Sequence, residues 1–297
     1  MTHLTKKINQ LKWLQAIGID YYLSESTINQ QKIQINSNIK KKKPMTAPIY
    51  SNDLKNGNNK QENSVVNLSK MKQVRIPTTI CDNNSSNHSN IQLARSLADS
   101  ASSLEELQTL LMGFNGCDLK KLANKTVFAD GNPQSSIMFI GEAPGSNEDV
   151  EGIPFCGESG KLLDNVLASI NISRKHNAYI TNTVFWRPPA NRQPTQEEID
   201  ICRPFVEKHI ALINPKLIVL VGNVAATSLL GKNAGISKIR QEYYLYTNQY
   251  LSKPIQTTSI FHPAYLLRQP MQKKTTWYDL IKIHDYINTN VIASERM

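Results

Sequence analysis

Residues 141–164 read GEAPGSNEDVEGIPFCGESGKLLD. The stretch begins where an apolar run, Ile137-Met138-Phe139-Ile140, stops, and it ends inside a helical pattern. It places Gly141, Gly145, Gly152, Gly157 and Gly160 beside Glu142, Glu148, Asp149, Glu151 and Glu158. A buried strand that runs through a glycine-bent, acid-rich loop into a helix is the opening unit of an α/β sheet.

The pattern repeats on either side. Residues 136–140, 178–184, 216–221 and 254–260 are strand-like, while 160–170, 195–213, 225–230 and 277–286 have helical spacing. Thr195 and Glu198 form a capping-box signature at the start of the longest helix. Residues 91–112 also read as helical, with Ser102-Ser103 capping a second helix. Alternation of this kind predicts a parallel sheet with helices on both faces, with ligands beyond the carboxyl ends of the strands. Three unusual loops fall at those ends: GEAPG, NTVFWRPPANRQP and FHPAYLLR.

Two phosphate-binding motifs are excluded. In SGKLL the first glycine of a P-loop would fall on Phe155, and Lys161 is followed by Leu162 rather than Ser or Thr. GEAPG lacks the spacing of a dinucleotide fingerprint. The loops instead offer carboxylates (Glu142, Glu148), carboxamides (Asn182, Asn191), a histidine (His262) and a ring in a turn (Phe155). A carboxamide pairs with a base edge, a ring stacks on a base, a carboxylate orients water and a histidine faces a leaving anion. The same residues also serve as core, turn or cap residues elsewhere. Unaided, the set points to an enzyme acting on a base or nucleotide.

GEAPGSNEDVEGIPFCGESGKLLD, ITNTVFWRPPANRQPTQEEIDIC and FHPAYLLR, in that order, resemble family-4 (type 4) uracil-DNA glycosylases from about Cys117 to Tyr286. The resemblance implies a three-layer α/β/α sandwich around a short central parallel sheet. It implies hydrolysis of the N-glycosidic bond of deoxyuridine in single- or double-stranded DNA, leaving an abasic site. By position it makes Glu142 and Glu148 the acidic pair, with Asn191 as polar partner of the second acid. It sets Phe155 and Ala143 against the uracil, with Asn182 reading its edge and His262 facing O2. Leu266 falls where related enzymes insert a side chain into DNA, with Arg268 and Arg187 beside the strand. A covalent uracil-binding relative carries an insertion after the second motif; here TNTVFW runs directly into RPPANRQP, which favours turnover.

The resemblance breaks at the cysteines. Family-4 enzymes resemble one another in four that hold a 4Fe–4S cluster. Cys117 and Cys202 match two of them, while Phe114 and Trp186 stand at the other two. Two thiolates do not secure a cubane, so no cofactor is expected. Cys156 and Cys81 are badly placed to substitute.

The 297 residues carry a net charge of +10, of which residues 1–90 hold +8 (13 Lys/Arg against 5 Asp/Glu). Residues 1–23 have the spacing of an amphipathic helix. Residues 24–90, rich in Asn, Lys, Ser and Gln, are expected to be a disordered basic linker, and 91–297 the glycosylase-like domain. The lysine run IKKKKP fits a solvated linker or non-specific attraction to nucleic acid. No signal peptide is read, and no apolar run approaches the roughly 20 residues that span a bilayer. The expectation is a cytoplasmic monomer with reduced thiols. A second reading is a weakened glycosylase fold that binds DNA or a replication partner through its amino-terminal region.

Overall fold

The computed structural model describes residues 85–291, apart from 233 and 241. The expected helix over 1–23 and nearly all of the expected linker lie outside the described residues. At the linker's end the boundary moves: α1 spans Ser85–Ser100, so helix begins six residues before position 91. Its first turn is Ser/Asn-rich, and its buried side, Ala94 and Ala98, lies further along.

Helices α2 (Leu104–Gly113) and α3 (Leu119–Leu122) follow. Ser103 caps α2 by accepting from the Glu106 N–H, as the Ser102-Ser103 signal predicts. The remaining order is β1 (Asp130–Gly131), β2 (Ile137–Gly141), α4 (Ser146–Glu151), α5 (Glu158–Ala168) and β3 (Tyr179–Asn182). Then come α6 (Gln196–Ile213), β4 (Leu217–Val221), α7 (Asn223–Leu230), α8 (Ile236–Ile239), β5 (Tyr244–Tyr246) and β6 (Ile255–Ile260). The chain continues through α9 (Pro263–Arg268) and α10 (Lys273–Tyr286). Helix α6 starts on the expected capping box: the Thr195 hydroxyl accepts from the Glu198 N–H and the Glu198 carboxylate accepts from the Thr195 N–H.

The sheet has six strands in the order β1-β3-β2-β4-β6-β5. Its centre, β3-β2-β4-β6, is parallel, as the alternation requires, and β1 and β5 are added antiparallel at the edges. Alternate residues of the central strands feed two cores. Met138, Ile140, Ile218 and Leu220 pack with Leu107, Leu111, Phe205 and Ile210 on one face. Ile137, Phe139, Leu217 and Val219 pack with Leu163, Val166, Trp277 and Leu280 on the other. Both faces of the strands are covered, which is why they read as continuous apolar runs. The result is a three-layer α/β/α sandwich.

The chain leaves β2 toward β3 on one side and later adds β4 on the other, so β2 sits at the switch point where such sheets open a crevice. Gly141, the last residue of β2, lies in register with Asn182, the last of β3, and Val221 of β4 with Ile260 of β6. Four strand ends therefore deliver their loops to one place.

Candidate active site

The site is built on Gly141. A Cβ there would lie 2.4 Å from Asn182 Oδ1 and 2.5 Å from the Phe155 ring. The missing side chain is what lets carboxamide and ring converge. Past this point the two strands stay joined, because the Thr183 N–H donates to the Gly141 carbonyl (2.9 Å) and the Thr183 hydroxyl to the Glu142 carbonyl (2.6 Å). Asn182 is 1% exposed, yet neither Nδ2 nor Oδ1 has a hydrogen-bond partner among the described residues. A buried, unpaired amide costs about 1–3 kcal/mol per group, so a chain retains one where something else completes it.

Phe155 is buried with φ of +52°, a left-handed conformation uncommon for a bulky residue. Its ring lies 5.6 Å from that of His262, tilted by 31°. His262 caps α9: its Nδ1 accepts from the Ala264 N–H at 3.1 Å. The ring proton is thereby placed on Nε2. Burial, with the nearby Arg268 charge adding to it, lowers the His262 pKa to about 4. The imidazole is neutral at physiological pH and offers Nε2 as a donor. Gly222 follows β4 with φ of +98°, and a Cβ on it would sit 2.9 Å from His262 Cβ, so glycine lets the histidine approach.

The two acids of the first loop differ. Glu142 is half-buried, its carboxylate accepts no hydrogen bond from the described residues, and burial raises its pKa. Glu148 is engaged on both oxygens, accepting from the Gly145 N–H (3.1 Å) and the Gly157 N–H (2.9 Å). It staples the two ends of the loop. Ala143 is half-buried and packs against the core on the Met138 and Ile140 face of the sheet.

Three of the expected site residues make contacts that motif position did not indicate. Asn191 does not meet Glu148. Its Oδ1 accepts from Arg187 Nε (2.7 Å) and its Nδ2 donates to Ser146 Oγ (3.4 Å), because Ala190 and Asn191, both at φ of +55°, turn the segment toward α4. Arg187 is half-buried, with Nη1 4.0 Å from the buried Asp149 carboxylate. Leu266 is 1% exposed in the core between α9 and α5, and the exposed leucine is Leu267, at 45%. Arg268 is exposed.

Asp149, one of the acids of the first loop, is a buried anchor that accepts from the Asn124 N–H (2.8 Å) and Asn124 Nδ2 (2.6 Å). No local signal marks it.

On the opposite face, Cys117 and Cys202 are buried with their thiols in hydrogen-bonding contact, and that contact together with burial pushes the Cys202 thiol up. Phe114 packs on Phe205 with ring centroids 5.3 Å apart, and Trp186 Nε1 donates to Thr126 Oγ1 at 2.9 Å. Both rings are essentially fully buried. No group of three or more His, Cys, Asp or Glu side chains among the described residues could hold a metal. The residues present do not fit a cluster that takes four thiolates.

Comparison with known proteins places the chain in a family. Residues 128–281 match the Uracil DNA glycosylase superfamily. A type-4 uracil-DNA glycosylase of Sulfurisphaera tokodaii is 37% identical over 187 residues, 62% of this chain and 84% of that protein. One of Archaeoglobus fulgidus is 36% identical over 185 residues, covering 61% and 92%. One of Thermotoga maritima is 40% identical over 153 residues, covering 51% and 77%.

Proposed function

Because the chain belongs to the uracil-DNA glycosylase superfamily, among its type-4 members, we propose a mechanism in which Asn182, Phe155, His262 and Glu142 divide the excision of uracil between them. The protein is a DNA repair glycosylase, a hydrolase of the N-glycosyl bond. The observation that carries the mechanism is the buried Asn182 carboxamide with both polar atoms unpartnered.

A stacked nucleotide does not expose C1′, so the base is extruded at a cost of a few kcal/mol. Stacking on Phe155 and two hydrogen bonds to Asn182 offset that cost. Nδ2 donates to uracil O4 and Oδ1 accepts from N3–H. Cytosine turns an amino donor toward the Asn182 donor, which leaves buried groups unpaired. As the glycosidic bond breaks, electrons move onto the base and the sugar becomes cationic. His262 Nε2–H donates to O2 of the departing anion without transferring its proton. Glu142 orients the water whose oxygen bonds to C1′ and accepts its proton. Glu148 holds the loop, and Leu267 and Arg268 take the DNA-facing place that the sequence assigned to Leu266.

Catalysis needs no metal or cluster, and Phe114 and Trp186 replace the missing ligands as packing. No helix among the described residues is long and apolar enough to cross a membrane. We place the protein in the cytoplasm as a monomer. The test is release of free uracil from a uracil-containing oligonucleotide in the presence of chelator, with strand cleavage only after alkali. DNA binding without release would favour the binding-module reading.

A further inference from the structure

We propose that Arg174 is a positioning residue that holds Phe155 in its base-stacking conformation. The inference rests on the reading of Phe155 as the stacking platform. Phe155 stands at positive φ between Pro154 and Cys156, in a turn that no regular element supports. Left alone, an aromatic residue relaxes from this region toward the right-handed or extended wells.

The Arg174 guanidinium reaches into that turn from the connection between α5 and β3. Nη1 donates to the Pro154 carbonyl at 2.5 Å, and Nη2 donates to the Phe155 carbonyl. The guanidinium is fixed from its other side. Nε donates to Asp164 Oδ1 at 2.8 Å, and Nη1 also reaches Asp130 Oδ2 at 3.1 Å. One planar fork thus ties two successive carbonyls to α5 and to the edge strand β1. The side chain is 15% exposed, so water competes weakly for these bonds.

Two neighbours close the turn further. A Cβ on Gly160 would lie 1.7 Å from the Phe155 carbonyl oxygen, so that carbonyl sits against the first turn of α5 where only glycine leaves room. Two residues past Phe155, the Gly157 N–H is held by Glu148. Arg174 fixes the carbonyl side and Glu148 the N–H side of the same turn. The geometry suits arginine alone. A lysine ammonium keeps the charge between Asp130 and Asp164 but cannot present a rigid fork to both carbonyls.

The test is a double-mutant cycle on the full-length protein with Arg174→Lys, Phe155→Ala and the pair. The readout is affinity for a duplex holding 2′-fluorinated deoxyuridine, relative to the same duplex holding thymidine, together with the single-turnover excision rate. Losing a base–aromatic stack lowers binding by roughly 5- to 150-fold. Arg174→Lys should lower the preference for the uracil analogue by about tenfold and leave the thymidine duplex unaffected. On the Phe155→Ala background it should change the preference by less than about twofold, because nothing remains to position. Asp164→Asn, a milder change at a more exposed site, should give a smaller loss in the same direction. An equal loss with and without the Phe155 ring, or a wild-type preference in Arg174→Lys, would overturn the proposal. If Phe155→Ala itself keeps the full preference, the stacking reading is what fails, and the clamp has nothing to act through.

Discussion

Nδ1 of His262 accepts the backbone N–H of Ala264 at 3.1 Å, so the cap of α9 also sets the tautomer of the ring. A nitrogen occupied as acceptor leaves its partner nitrogen as the donor. Nitrogen-15 spectra of labelled protein should show a neutral Nε2–H ring until the pH falls to about 4. His262→Ala should lower the single-turnover rate by about 10²-fold, the scale for losing one transition-state donor. Affinity for a non-cleavable uracil duplex should change far less, since the bond strengthens only as charge develops. Equal losses in rate and affinity would mean ground-state binding instead.

The same histidine links stability to pH. Its folded pKa is depressed from an ordinary 6.5 to about 4. Its contribution is therefore complete above 6.5 and is lost as the pH falls through about 4. Wild-type Tm should fall more steeply over that window than the Tm of His262→Ala. His209, also depressed by burial, is common to both and cancels. Parallel curves would show that His262 does not carry the effect.

On the proposed mechanism, Glu142 should govern the acid limb of the rate. Burial raises its pKa above the ordinary 4.5, and the carboxylate is the active form, so excision should rise with pH through a midpoint above 4.5. Glu142→Gln should remove that limb and most of the rate. Glu148 has both oxygens bound to backbone N–H groups, so Glu148→Gln should act mainly by loosening the loop. If Glu148→Gln removes the acid limb and Glu142→Gln leaves it, the two assignments are reversed.

Much of this was legible in the chain, for physical reasons. β2 and β4 are buried on both faces and therefore appear as unbroken apolar runs. Thr195 and Glu198 announce the start of α6 because a capping box is local chemistry. The edge strands carry no such signal: Asp130–Gly131 and Tyr244–Tyr246 are too short for a period to show. Motif position places a leucine near the DNA but does not fix its side of a helix. Adjacent residues differ by about 100° in direction, enough to bury Leu266 and expose Leu267. Arg174 was invisible because its partners stand 10 to 44 residues away. The unpaired Asn182 amide, too, is a property of packing rather than of sequence.

The cysteine remnant makes a separate prediction. Protein produced in iron-replete, anaerobic medium should lack the broad visible absorbance of a cubane cluster. Trp186→Ala should cost about 3–5 kcal/mol, the usual cost of emptying a buried tryptophan site, measured by denaturant unfolding. Four irons and four sulfides per chain would show that Phe114 and Trp186 do not displace the cluster.

The central claim is that the carboxamide of Asn182 reads uracil, and Asn182→Asp tests it most directly. The carboxylate cannot donate to O4 and repels it, while it can accept the amino group of cytosine. The measurement is single-turnover release of uracil and of cytosine from otherwise identical oligonucleotides, by wild type and variant. Uracil release should fall by at least about 10²-fold and the gap between the two bases should narrow. Uracil release within about threefold of wild type, with discrimination against cytosine intact, would contradict it, because a removed donor worth even 1 kcal/mol changes a rate by about fivefold.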